Sequence, residues 1–95
     1  MLLGRVAGTL VASNKEPSMV GMKFLVVREV NVENEDAAGY VVAVDAVGAG
    51  VGEVVMYAQG SSARQTEFTH ERPCDAVVMA IVDEWEVDGI TKYRK

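Results

Sequence analysis

The sequence has little of what most binding and catalytic sites are made from. It holds one cysteine and one histidine. A single cysteine excludes an internal disulfide and points to a reducing compartment. One cysteine and one histidine leave a zinc site short of ligands unless two carboxylates complete it, so no metal and no cofactor are expected. No apolar run approaches the roughly 20 residues of a membrane helix, so no membrane partner is expected. The start, Met1-Leu2-Leu3-Gly4-Arg5, has no basic segment leading into an apolar one, so a cytoplasmic protein without a secretory signal is expected. Basic residues are also scarce, with 9 Lys and Arg against 14 Asp and Glu and a net charge of −5. An acidic domain repels phosphate backbones, which argues against a nucleic-acid partner. Leucine is sparse and no long amphipathic helical pattern is present, which argues against an α/β fold.

What remains is valine, alanine and glycine on a chain of 95 residues, the length of one domain, residues 1–95. β-Branched side chains fit a pleated, half-buried surface. Strands are predicted over Leu2–Ala12, Met22–Val32, Tyr40–Val47, Glu53–Gln59 and Ala76–Val87. In the second, Phe24, Val26, Val30 and Val32 share a row. In the last, Val77, Met79, Ile81, Asp83, Trp85 and Val87 share a face. Ser13–Gly21, Glu33–Gly39 and Thr66–Pro73 read as loops, and the tail Gly89–Lys95 as an appendage. Ser61 or Ser62 is expected to cap a short helix running through Ala63-Arg64-Gln65. Five strands and one short helix predict an all-β fold, a small five-stranded barrel of the oligonucleotide/oligosaccharide-binding (OB) type, with a small sandwich as the competing architecture.

Val44–Val55, VDAVGAGVGEVV, carries Gly48, Gly50 and Gly52 in alternation. It lacks the Lys of a P-loop and the spacing of a dinucleotide fingerprint, and a strand follows it where a helix N-terminus is needed. The glycines read instead as a tight turn using positive φ. Gly60-Ser61-Ser62 is not a nucleophile elbow. His70 reads as a surface residue and Cys74 as an inert, half-buried thiol. No nucleophile has a base beside it, so an enzyme is not expected. Asp45 and Asp83 fall among apolar residues, and a buried carboxylate needs hydrogen-bond or positive partners; Arg5, Arg28 and Arg64 are the candidates. A binding module for single-stranded nucleic acid or a small anion stays as the alternative function for such a barrel, although the aromatic residues are scattered.

The segments Met1–Ala12, Val42–Glu53, Gly60–Arg64 and Ile81–Asp83, taken in order, resemble the bacterial microcompartment vertex proteins. These are the pentameric shell proteins of carboxysomes and of ethanolamine- and propanediol-type organelles. The resemblance covers nearly the whole chain. It implies an OB-like barrel assembling as a cyclic pentamer, a non-enzymatic shell component in the bacterial cytoplasm. Such a pentamer caps the vertices where facets of hexameric shell protein meet, and leaves a narrow axial pore. On that resemblance Gly48, Ala49, Gly50, Val51, Gly52 and Glu53 are assigned to the axial pore or subunit interface. Asp45, Ser61, Ser62, Arg64 and Asp83 are assigned to the interface or to structural polar pins, with Arg64 pairing Asp45 or Asp83.

Overall fold

In the computed structural model, which describes residues 1–72 and 74–95, the valine-rich runs form β1 (Leu2–Leu10), β2 (Phe24–Val30), β3 (Asp36–Asp45), β4 (Val54–Gln59) and β5 (Ala76–Ile81). They close into a barrel in the order β1-β2-β3-β5-β4. All pairings are antiparallel except β3 with β5, which run parallel through Val44↔Val77 and Asp45↔Val78. A parallel pair needs a long crossover. Here β4 and a 3-10 turn over Gly60–Arg64 supply it.

The strands are apolar on both faces because both are covered. Val6, Leu25, Val27, Ala43, Val55, Tyr57 and Val78 fill the barrel interior. Their chain neighbours Phe24, Val44, Ala58 and Val77 join Met22, Ala63 and Cys74 in a second cluster on the outside of the wall. The 3-10 turn and the polar loop after it lie over this cluster. Buried Thr69 pins the loop by donating from Oγ1 to the Ala63 carbonyl at 2.6 Å. The predicted loop Thr66–Pro73 is turn-rich over its described part, and Pro73 lies outside the described residues.

Several local expectations differ from the structure. A bulge between Val6 and Gly8 interrupts the regular alternation of β1. A second irregularity, between Arg28 and Val30, shifts β2. Leu25 and Val27 are therefore the inward row, while Phe24 faces the outer cluster and Val32 lies exposed beyond the strand. β3 begins at Asp36 rather than Tyr40: Asp36-Ala37-Ala38-Gly39 extend the strand alongside β2, where Asp36 pairs with Val30. Neither Ser61 nor Ser62 caps the 3-10 turn, which starts at Gly60, and Ser62 Oγ donates to the Gln59 carbonyl. The predicted strand Ala76–Val87 breaks after Ile81. Val82 N–H still reaches the Val54 carbonyl, and the chain then leaves the barrel as β6 (Glu84–Val87). β6 pairs with β7 (Ile90–Arg94) in a separate hairpin. Asp88 and Gly89, at φ 52° and 77°, form its two-residue turn, the geometry that suits strand twist.

Gly4 is where a side chain cannot be admitted. A Cβ there would meet a Val27 methyl, Tyr57 Cε1 at 2.9 Å and the Arg28 carbonyl at 3.1 Å, whereas at Gly8 it meets nothing within 4 Å. Gly4→Ala is expected to destabilise the protein by about 1–3 kcal/mol through overpacking, and Gly8→Ala by less than about 0.5 kcal/mol. Urea unfolding of the two variants checks the contrast.

Candidate functional site

The glycine segment is organised by Asp45, the last residue of β3. The residue is buried at 7% exposure. Oδ1 accepts from the backbone N–H groups of Val47 at 3.0 Å, Gly48 at 2.9 Å and Ala49 at 3.2 Å. Oδ2 is buried and has no hydrogen-bond partner among the described residues. Three convergent N–H donors take the place on Oδ1 that an arginine was expected to fill. The chain then turns outward through Gly48 at φ 77° and back through Gly52 at φ 91°, conformations that L side chains resist.

The return is held twice. Gly50 N–H donates to Glu53 Oε1 at 2.6 Å, and Glu53 N–H donates to the Gly50 carbonyl at 3.2 Å. Gly52 N–H and Val6 N–H exchange bonds with β1, to the Val6 and Glu53 carbonyls at 2.8 and 2.9 Å. The donors of Gly48, Ala49, Gly50, Gly52 and Glu53 are thus spent inside the chain, and none of them is free to cradle a phosphate.

The six residues assigned together divide between two directions. Ala49 points inward within the chain: at 5% exposure it packs in the barrel core, beside the backbone that Asp45 holds. Gly48, Gly50 and Gly52 are exposed, and Val51 projects at 63% exposure as the apolar tip of the turn. Glu53 is half-buried at its base. Its Oε2 accepts from Lys95 Nζ at 2.7 Å, and Lys95 N–H donates to the Asp83 carbonyl at 2.8 Å. The Lys95 hydrogen bond, then the Gly50 N–H, hold the Glu53 carboxyl below the usual carboxylate range. Glu53 in turn pushes the Lys95 ammonium up.

The remaining polar residues are dispersed. Arg64 does not reach Asp45 or Asp83; its Nη1 donates to the Cys74 carbonyl at 3.1 Å. Asp83 is exposed, since the strand that was to bury it ends at Ile81. Ser61 and Ser62 are exposed on the 3-10 turn. The other two candidate arginines go to Asp36 instead, Arg5 at 2.6 Å and Arg28 at 4.0 Å. His70 lies on the surface with Glu71 3.9 Å away. Cys74 is buried, which pushes its thiol up and away from the reactive thiolate. Among the described residues, no three His, Cys, Asp or Glu side chains gather as a metal site does. Sequence reasoning missed Lys95 and the hairpin that carries it. The signal was present: Asp88-Gly89 between EWEV and ITKYR is a strong hairpin turn.

Two measurements follow from this geometry. Asp45→Ala strands three backbone donors, that of Ala49 buried, and is expected to cost about 1–3 kcal/mol, while Asp83→Ala stays within about 0.5 kcal/mol; denaturant midpoints decide. Glu53 ionises at lower pH in the fold than in the unfolded chain. Its contribution is therefore complete above the ordinary carboxylate value, about 4.3, and is lost as pH falls through the lower folded value. The Gly50 amide resonance is expected to titrate with a midpoint below about 4.3, as followed by NMR.

The family described as ethanolamine utilisation protein EutN/carboxysome matches residues 1–83, ending immediately before β6. The carboxysome shell vertex protein CcmL of Gloeobacter violaceus is 47% identical over 95 residues, covering 100% of this chain and 95% of that protein. The solved structure of Gloeobacter violaceus CcmL superposes with a TM-score of 0.95, covering 100% of this chain and 98% of the other. The pentameric microcompartment shell protein GrpN from Rhodospirillum rubrum superposes with a TM-score of 0.84 at 44% identity, covering 92% of this chain and 99% of that one.

Proposed function

The chain belongs to the ethanolamine utilisation protein EutN/carboxysome family, and on that premise we propose that it is a structural vertex protein of a bacterial microcompartment shell. Five copies form a ring that occupies the point where hexameric shell facets meet, closing the polyhedron around a narrow axial opening. The protein acts in the cytoplasm as part of that shell and catalyses no reaction. The observation that carries this reading is similarity to shell vertex proteins along the full chain, in sequence and in backbone.

The surface of the single chain supports it. The closed barrel has no free edge for strand addition, so association through the barrel uses side chains and turns. Leu10, Val11, Tyr40, Val42 and Val51 are large apolar residues left exposed. A ring offers each a cover, because in a cyclic assembly one patch meets a different patch on the next copy. The exposed glycine tip, Gly48, Gly50, Val51 and Gly52, belongs at or near the axis, where five backbones crowd together and small residues are required. Ser61, Ser62 and Arg64 lie along the adjoining subunit in this arrangement. Glu53 and Asp45 hold the tip in shape. A nucleic-acid-binding module has less behind it: the net charge is −5, and Tyr57 is buried in the core rather than displayed for stacking.

Native mass spectrometry is expected to give five times the chain mass, and mixing with a hexameric shell protein to give closed shells; a monomer at micromolar concentration overturns the reading. Val51→Trp leaves the barrel core untouched and is expected to weaken or distort the ring. Unaltered pentamers from that variant place the tip away from the axis.

A further inference from the structure

We propose that the β6–β7 hairpin is a brace that positions the glycine turn, with Lys95 as the positioning residue acting through Glu53. The barrel closes without this hairpin: its strand order is complete at β5, and the family match stops at Asp83. A two-stranded hairpin is marginal on its own. This one is stiffened internally by stacking of Trp85 on Tyr93, with ring centres 5.3 Å apart, and by Arg94 on Glu84 at 3.2 Å.

Its attachments to the barrel are hydrogen bonds and ion pairs at two places. At the corner between β2 and β3, Trp85 Nε1 donates to the Val32 carbonyl at 2.8 Å. Asn34 Nδ2 donates to the Lys92 carbonyl at 3.1 Å, and Lys92 Nζ meets Glu33 at 2.6 Å. Asn34 is itself fixed there, with φ 63° and its Oδ1 accepting from Arg5. At the other end, Lys95 meets Glu53. The hairpin therefore spans from the β2–β3 corner to the glycine turn.

Glu53 is where the brace acts. A carboxylate with one engaged oxygen still rotates about its last side-chain bond. With Oε1 on Gly50 N–H and Oε2 on Lys95, both ends are held. Lys95 thereby keeps Oε1 pointed at Gly50. The pair is partly exposed, so its effect is on the position of the turn more than on global stability. Any consequence for the width of an axial opening rests on the placement of the turn given under Proposed function.

The test is amide hydrogen exchange by NMR on the full chain in its native assembly. Lys95→Met is expected to speed exchange at Gly50 by roughly two- to fivefold. Lys95→Arg restores protection, because it restores the donor, and Val27 in the core exchanges as before. High salt on the unaltered chain reproduces the Lys95→Met effect and adds nothing to that variant. If Lys95→Met leaves Gly50 protected while Glu53→Ala exposes it, the turn is held by Glu53 alone and the brace is overturned. Failure of Lys95→Arg to restore protection overturns it as well. Exchange at Gly50 reads the turn wherever it sits, so a normal ring from Val51→Trp removes the axial placement without touching this result.

Discussion

Three backbone N–H groups converge on one oxygen of Asp45, and the geometry beyond β3 depends on that convergence. The parallel pairing of β3 with β5 covers only Val44 and Asp45 before it ends. The chain must then leave the wall of the barrel with its backbone donors accounted for, since buried unsatisfied donors are costly. Asp45 supplies the acceptor at that point. Pulled in, the backbone sets Ala49 into the core. Released, it carries the next residues out and returns Glu53 to β1 through the Val6 exchange. A change at Asp45 thus reaches the core, the turn and the closure of β1 on β4 together.

The second constraint is that the barrel wall is covered on both faces. Alternate residues of β2 to β5 serve two apolar clusters, one inside and one outside. Valine runs without polar alternation are the consequence. The outer cluster depends on the 3-10 turn and the loop pinned by Thr69, so a segment that reads as polar and irregular covers part of the core. Closure of the barrel sheet removes its edges and leaves its turns and side chains as the barrel's means of association. That fits a component that must join several neighbours without extending a sheet indefinitely.

Much of this was legible in the residues. Four of the barrel strands follow from β-branched runs bounded by glycine and polar clusters, and the ordered segments from Met1 to Asp83 carry the family resemblance. The turn at Gly48–Gly52 follows from the glycines and from what is missing around them. Asp45 reads as a structural carboxylate from its apolar flanks, but its partners do not: its three N–H donors lie within four residues, where arginines far along the chain were the expected choice. Asp83 shows the opposite failure. Its alternation with Ile81 and Trp85 looks like one continuous face, yet the strand leaves the barrel after Ile81, so that face has no core to meet. Lys95 on Glu53 joins residues 42 positions apart, beyond what periodicity can relate.

The sequence by itself determined an acidic, valine-rich, all-β domain, its turn positions and its family. These are properties of composition, local backbone preference and ordered motifs, all carried by neighbouring residues. Only the tertiary structure decided which side of the glycine turn faces inward, which acceptors the arginines take, and that the final residues fold back as a hairpin onto the turn. Each of these depends on where the closed barrel brings distant segments into reach. A side chain's partner is then set by closure and register, because a one-residue bulge such as that between Val6 and Gly8 redirects every residue beyond it.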